Sequence, residues 1–291
     1  MSKIIPRLFG GLGNQLFIYA CARRLAIKNN SELVIDNISG FKYDKIYKRN
    51  YQLHNFNISA RFATKFELFY PCSRIRRFII KFLNQKKLFK NKSYIQQEVY
   101  FDKRILDLKP KGTIYLEGYW QSENYFKDVE KIIREDLLFI KITDDLNLYY
   151  SELIKNTEIS ISVHYRFFDT IDNVNNLNNV YYSNAFSYYS KLFPNATYFI
   201  FSDKKLLNIN TSINEMNIIY INHNKTDESA YKDLWLMSLC KNFIISNSTF
   251  SWWGAWLSTY NNKIVIGPKL DQNSFDVKGI DLEYPKEWIL L

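Results

Sequence analysis

The chain's 291 residues, 47% of them apolar and including 22 Tyr and 22 Phe, suffice for a sizeable core and about two domains of 100 to 200 residues each, which excludes a disordered protein. No apolar run reaches the roughly 18 to 20 residues that cross a bilayer, and the start MSKIIPRLFGG carries no secretory-signal h-region. Cys21, Cys72 and Cys240 are too few and too widely spaced for a disulfide framework, so a reduced, cytoplasmic protein is expected, while the net charge of +10 leaves anionic partners open.

Residues 3 to 9 read as a strand ending in Gly10, Gly11, Gly13, Asn14 and Gln15, followed by helical spacing through Leu16, Ala20, Leu25 and Ala26. Glycines let a backbone approach a ligand closely, and a helix amino terminus attracts anions. The turn is not the dinucleotide fingerprint, because Leu16 stands where its third Gly belongs. The glycines can equally serve only a tight turn. ELVID at 32 to 36 reads as a second strand and residues 37 to 60 as irregular connection.

Residues 61 to 92 hold ten Lys and Arg against the single acid Glu67, interleaved with Phe62, Phe66, Phe69, Phe78, Phe82 and several aliphatics. This predicts one or two basic amphipathic helices broken near Pro71. An anionic membrane or acceptor ranks first as its partner, a merely solvated face second and nucleic acid third, since no nucleic-acid signature accompanies it.

TIYLE at 113 to 117 reads as a strand entering the loop GYWQSENYF, and helical spacing returns through Phe126, Val129, Ile133 and Leu137. The polar stretch 141 to 157 is the expected boundary between an N-terminal domain, 1–150, and a C-terminal domain, 151–291. The C-terminal tail is expected to pack back on the first domain.

Beyond the boundary the alternation is regular. Strands are expected at 159–165, 197–202, 243–246 and 263–266, with helices near 181–193, 227–240 and 250–260, which implies a parallel sheet covered on both faces. The strand ends carry His164, Arg166 and Asp169, then Ser202 and Asp203, then Ser246 to Ser251. Open α/β sheets bind ligands at the carboxyl ends of their strands. An Arg there can present a fork of donors to a phosphate, and the hydroxyls of Ser248 and Thr249 open a helix. Taken singly, Arg166 with Asp169 could be a surface ion pair, and Ser248 a cap.

There is no P-loop lysine motif, no Asp-x-Asp, and no pair of His or Cys at metal-ligand spacing. A diphosphate site would then depend on Arg and on helix amino termini, and no metal is expected.

GGLGNQLF at 10–17, GYWQSENYF at 118–126, HYRFFD at 164–169, YY and FIFSD within 181–203, and YKDLWLMSLCKNFIISNSTFSWWGAWL at 231–257 together resemble the bacterial alpha-1,2-fucosyltransferase family. The resemblance implies an α/β, GT-B-like fold of two Rossmann-like doubly wound domains facing each other across a cleft. It implies metal-independent transfer of fucose from GDP-fucose to a sugar hydroxyl, usually galactose O2, with inversion, and no cofactor beyond that donor. On the same resemblance Arg166 would bind the diphosphate beside His164, and Asp203 and Asp233 would contact ribose or guanine. Asn247, Ser248, Thr249 and Phe250 would cradle the phosphates, and Gly11, Gly13, Asn14 and Gln15 would reach towards the transferred sugar.

The family pattern His-x-Arg-Arg-x-Asp is altered here, with Phe167 and Phe168 in place of the second Arg and the usual Gly. That change bears on donor identity, and another GDP-6-deoxyhexose is the alternative donor. Asp169, Glu117 and Asp36 are rival general bases. Tyr119, Trp120 and Gln121 either line an oligosaccharide or lipid-linked glycan acceptor, or are core. A binding-only protein, and nucleic-acid binding through 61–92, are the readings from other classes. The expected location is the cytoplasm, with peripheral contact at an anionic membrane face through 61–92.

Overall fold

The computed structural model describes residues 2–99, 101–167, 177, 179–204, 217–269 and 282–291. The chain divides into two compact units, Met1–Ile140 and Lys141–Leu291. The division falls at the start of the polar stretch, and the helix within that stretch belongs to the second unit.

In the first unit β1 (Lys3–Pro6) leads through Gly10 and Gly11 into α1 (Leu12–Lys28), followed by β2 (Glu32–Ile35) and the two-residue β3 (Arg61–Phe62). Then come α2 (Ser73–Gln85), β4 (Tyr94–Gln96), β5 (Thr113–Glu117) and α3 (Glu130–Asp136). Ile4 and Ile5 are buried, and α1 turns Leu16, Phe17, Ile18, Tyr19 and Ala20 into the core, which is why this strand–turn–helix was readable from spacing. The sheet order is β3-β2-β1-β5-β4 and every pair is parallel. Neighbours on opposite sides of β1 place a topological switch point between β1 and β5.

The basic segment forms one helix, not two. Glu67 gathers Arg61, Lys3 and the Thr64 amide and hydroxyl, so residues 61 to 69 wind around a carboxylate instead of forming a helix. Phe69 and Cys72 then take left-handed backbone just before α2. The helix expected through 126–137 shortens to α3, preceded by 3-10 turns at Glu123–Tyr125 and Lys127–Val129. Strand β4 was not foreseen.

In the second unit α4 (Asp145–Asn156) precedes β6 (Ser160–Tyr165), α5 (Asn179–Leu192), β7 (Thr197–Ser202) and β8 (Asn217–Ile221). Next come α6 (Ala230–Leu239), β9 (Asn242–Ile244), α7 (Thr249–Leu257), β10 (Val265–Gly267) and β11 (Ile289–Leu290). The order is β11-β10-β9-β6-β7-β8, again all parallel. This is a Rossmann strand order, with its switch point between β6 and β9. All six residues of β6 are buried, as a central parallel strand requires.

The tail departs from expectation: β11 adds to the second sheet beside β10. Trp252 explains why, donating its indole N–H to the Glu283 carbonyl at 2.9 Å while its ring packs on Trp288. Trp252, Trp253 and Trp256 are buried, and serve the core.

Candidate active site

Each sheet gathers polar side chains at its switch point. In the second unit the register pairs Tyr165 with Ser202, so the next residue of each strand, Arg166 and Asp203, emerge side by side. They form an ion pair through Arg166 Nη1 and Asp203 Oδ2, and Asp203 Oδ1 accepts the Phe167 amide at 3.1 Å. Asp203 thus fixes the guanidinium and the chain just after β6. Among the described residues this is Arg166's carboxylate partner; Asp169, the partner considered from sequence, lies outside them.

His164 is buried at the end of β6, where its Nδ1 meets Ser246 Oγ at 2.8 Å, just beyond β9. Tyr182 of α5 donates to the His164 carbonyl at 3.0 Å, and the Phe250 ring packs against the imidazole with centroids 5.6 Å apart. Burial first, and then the Arg166 charge, push the imidazole down to about 3, so the ring is neutral at physiological pH. A neutral ring beside a fixed guanidinium keeps the positive charge on Arg166 alone.

Ser248 is the N-cap of α7, its Oγ accepting the Phe250 amide at 3.3 Å, while Ser251 Oγ donates to the Ser248 carbonyl at 3.2 Å and lies 3.3 Å from Ser246 Oγ. The capping role is therefore real. It also aims the amino terminus of α7, with Thr249 and Phe250 in its first turn, at the same corner as His164. Asn247 is buried between Ser246 and this cap.

Asp233 sits apart from this group. In the first turn of α6, it accepts from Asn224 Nδ2 at 2.8 Å, and Asn224 is bonded in turn to Asn147 of α4. Burial raises the Asp233 carboxyl to about 7, with the Asn224 hydrogen bond opposing. Neither Asn224 nor Asn147 was anticipated; both lie in stretches that read as connection or boundary.

In the first unit Gly10 has φ of +75°, a conformation that glycine adopts freely, and a Cβ there would stand 2.8 Å from Asn14 Nδ2. Gly11 is the N-cap of α1 and Gly13 is buried within its first turn. Asn14 Oδ1 accepts from Gln121 Nε2 at 3.0 Å, joining the β1 turn to the loop after β5 across the switch point. Gln15 does other work: its amide bonds the Gly10 and Asn50 carbonyls at 3.0 and 2.8 Å and accepts the Gln52 amide at 2.9 Å. It is wholly buried and staples the glycine turn to residues 50–52.

Trp120 is also wholly buried, against Tyr125, so the core reading holds for it. Tyr119 packs on Phe9 with centroids 4.7 Å apart, at the rim of the same turn. Asp36 and Glu117, considered as bases, are engaged. Asp36 accepts from Arg77, Ser39 and two backbone amides. Glu117 accepts from Lys81, Arg7 and Tyr94; burial opposes its charge, but these partners hold the carboxyl below its usual range.

Solved structures share this architecture. A mutant of Arabidopsis thaliana FUT1 in complex with GDP matches with a TM-score of 0.53 at 12% identity, over 91% of this chain and 70% of that one. The NodZ alpha-1,6-fucosyltransferase co-crystallized with GDP matches with a TM-score of 0.52 at 13% identity, over 88% and 92%. The two Rossmann-like units thus have a GT-B-like fold.

More particularly, the chain belongs to glycosyl transferase family 11, whose model matches residues 8–291. An alpha-1,2-colitosyltransferase of Escherichia coli is 33% identical, with 99% of each chain covered. The O-antigen biosynthesis glycosyltransferase WbnK of Escherichia coli is 31% identical over 90% of this chain and 92% of its own. These findings bear out the resemblance drawn from the motifs.

Proposed function

We propose that this glycosyltransferase moves L-fucose from GDP-fucose to a galactose O2 of an O-antigen-type glycan precursor, with inversion at the sugar. The observation that carries the reading is the switch-point corner of the second unit, where Arg166, oriented by Asp203, stands with His164, Ser246 and the amino terminus of α7. Negative charge grows on the leaving diphosphate as the glycosidic bond breaks, and preorganised donors stabilise it most where water is excluded. Arg166 and the first turn of α7 supply them, so transfer is expected without a metal. In the first unit Asn14 and Gln121, held together at that sheet's own switch point, carry amide groups of the kind that bond sugar hydroxyls.

A second reading has a specific basis. The 33% relative named a colitosyltransferase, together with Phe167 in place of the family's second Arg, favours a GDP-linked 6-deoxyhexose such as colitose, which is fucose without its 3-hydroxyl. Incubation of the purified chain with either GDP-sugar and a lactose-type acceptor, in EDTA, with product linkage read by NMR, separates the two. An alpha-1,2-fucosylated product supports the first reading; turnover confined to the colitose donor supports the second. Absence of any GDP binding by calorimetry removes both.

A further inference from the structure

Helix α2 is turned inside out relative to an ordinary surface helix. Arg77, Lys81 and Asn84, at i, i+4 and i+7, form its inner stripe. Arg77 donates to Ser39 Oγ at 2.8 Å, Asp36 at 3.2 Å and Tyr94 OH at 3.2 Å, Lys81 donates to Glu117 at 2.7 Å, and Asn84 Oδ1 accepts the Ser93 amide at 2.7 Å. The opposite side carries Ile75, Phe78, Ile79, Phe82 and Leu83, each between 48% and 69% exposed. A helix on a water-facing surface has its apolar stripe towards the core. Here the polar stripe is held in the core by buried ionic bonds, so the helix cannot roll to hide its hydrophobic side.

We infer that this side of α2 rests on the surface of an anionic lipid bilayer. The apolar stripe is flanked by exposed Arg74 and Arg76 and followed by exposed Lys86, Lys87 and Lys90, within a segment that has ten basic residues and one acid. A central apolar band with basic margins is the pattern of a helix lying in the headgroup region. A second copy of this chain fits poorly, because a two-fold contact through the patch sets its positive charge against itself. A phosphate backbone would meet the basic margins but nothing at the aliphatic centre. The helix is bonded to Asp36 and Glu117, at the carboxyl ends of β2 and β5, so docking would hold the ligand-bearing edge of the first sheet beside the bilayer.

The test is sedimentation of the full chain with vesicles of phosphatidylcholine alone and of a phosphatidylcholine–phosphatidylglycerol mixture. The wild type should bind the anionic vesicles, and lose binding as salt is raised. Phe78→Gln with Phe82→Gln should weaken binding at least tenfold while leaving turnover of a soluble acceptor unchanged, and Arg74→Glu with Arg76→Glu should weaken it similarly. Ile79→Trp, read against brominated lipid, should be quenched on binding. Equal binding to neutral vesicles, unaltered binding by the Phe pair, or a wild-type oligomer that the Phe pair dissociates without any vesicle binding would each overturn the inference.

Discussion

His164 and Ser246 are bonded at 2.8 Å across the β6–β9 switch point, an imidazole nitrogen against a hydroxyl at the carboxyl end of the second sheet. Because burial depresses the imidazole to about 3, the unfolded chain takes up this proton before the folded one does. The associated stability is complete above the ordinary histidine value near 6.5 and is lost as pH falls towards about 3. In that window His164→Gln should flatten the pH dependence of urea unfolding by up to one proton, about 1.4 kcal/mol per pH unit. An unchanged slope would mean that the imidazole charges freely in the folded protein.

Arg166→Ala should lower kcat by roughly 10²- to 10³-fold, the usual cost of losing one donor to developing negative charge. Arg166→Lys should fail to restore it, since a point charge does not reproduce a planar fork held by Asp203. Asp203→Asn drops the charge and one of the two acceptor oxygens that hold Arg166 and the Phe167 amide, and a loss on the order of tenfold in GDP affinity is expected by calorimetry.

Asp233, raised to about 7, titrates in the opposite sense. Its folded value lies above the unfolded one, so the protonated carboxyl contributes stability at acid pH that is lost as pH rises through about 7. Asp233→Asn removes this loss, and its melting temperature relative to wild type should climb between mildly acid and mildly alkaline buffer. A difference independent of pH would show that the carboxylate ionises without cost.

Gly10→Ala places a methyl group 2.8 Å from Asn14 Nδ2 on left-handed backbone. The conformation alone costs about 1–2 kcal/mol. Displacing Asn14 from Gln121 should lower kcat/KM for the acceptor further than it lowers stability, and comparison with Asn14→Ala would show the two variants converging.

Arg77→Met leaves Asp36 buried without its cation, and should cost about 3–5 kcal/mol in chemical unfolding. Phe78→Gln, the next residue, should change stability by no more than about 0.5 kcal/mol, because its ring faces outward.

Much of the second sheet is legible because β7 and β9 carry short apolar runs, β6 alternates Ile161 and Val163 with Ser160 and Ser162, and all three lead into polar residues. The pairing of Arg166 with Asp203 was not, since it depends on register: only the alignment of Tyr165 with Ser202 brings the following residues together. Strand β4, Tyr94–Gln96, is too short to show a period, and β8 follows residues with no alternation. The motif places Gln15 towards a ligand and leaves Trp120 open between acceptor and core, because a motif fixes position in the chain and not exposure; both are buried. The orientation of α2 was hidden for a different reason. Its apolar spacing is that of a helix packed on a core, and nothing local tells which side carries the bonds to Asp36 and Glu117.

Among the described residues each sheet lies within its own unit, with its own order of strands and its own bond across the switch point. A substitution that reshapes one crevice therefore leaves the other sheet's ladder intact, and the two halves can diverge at different rates. Recombination near Ile140 and Lys141 would exchange the whole second sheet, with His164, Arg166 and Asp203, as a block and leave the bond between Asn14 and Gln121 untouched.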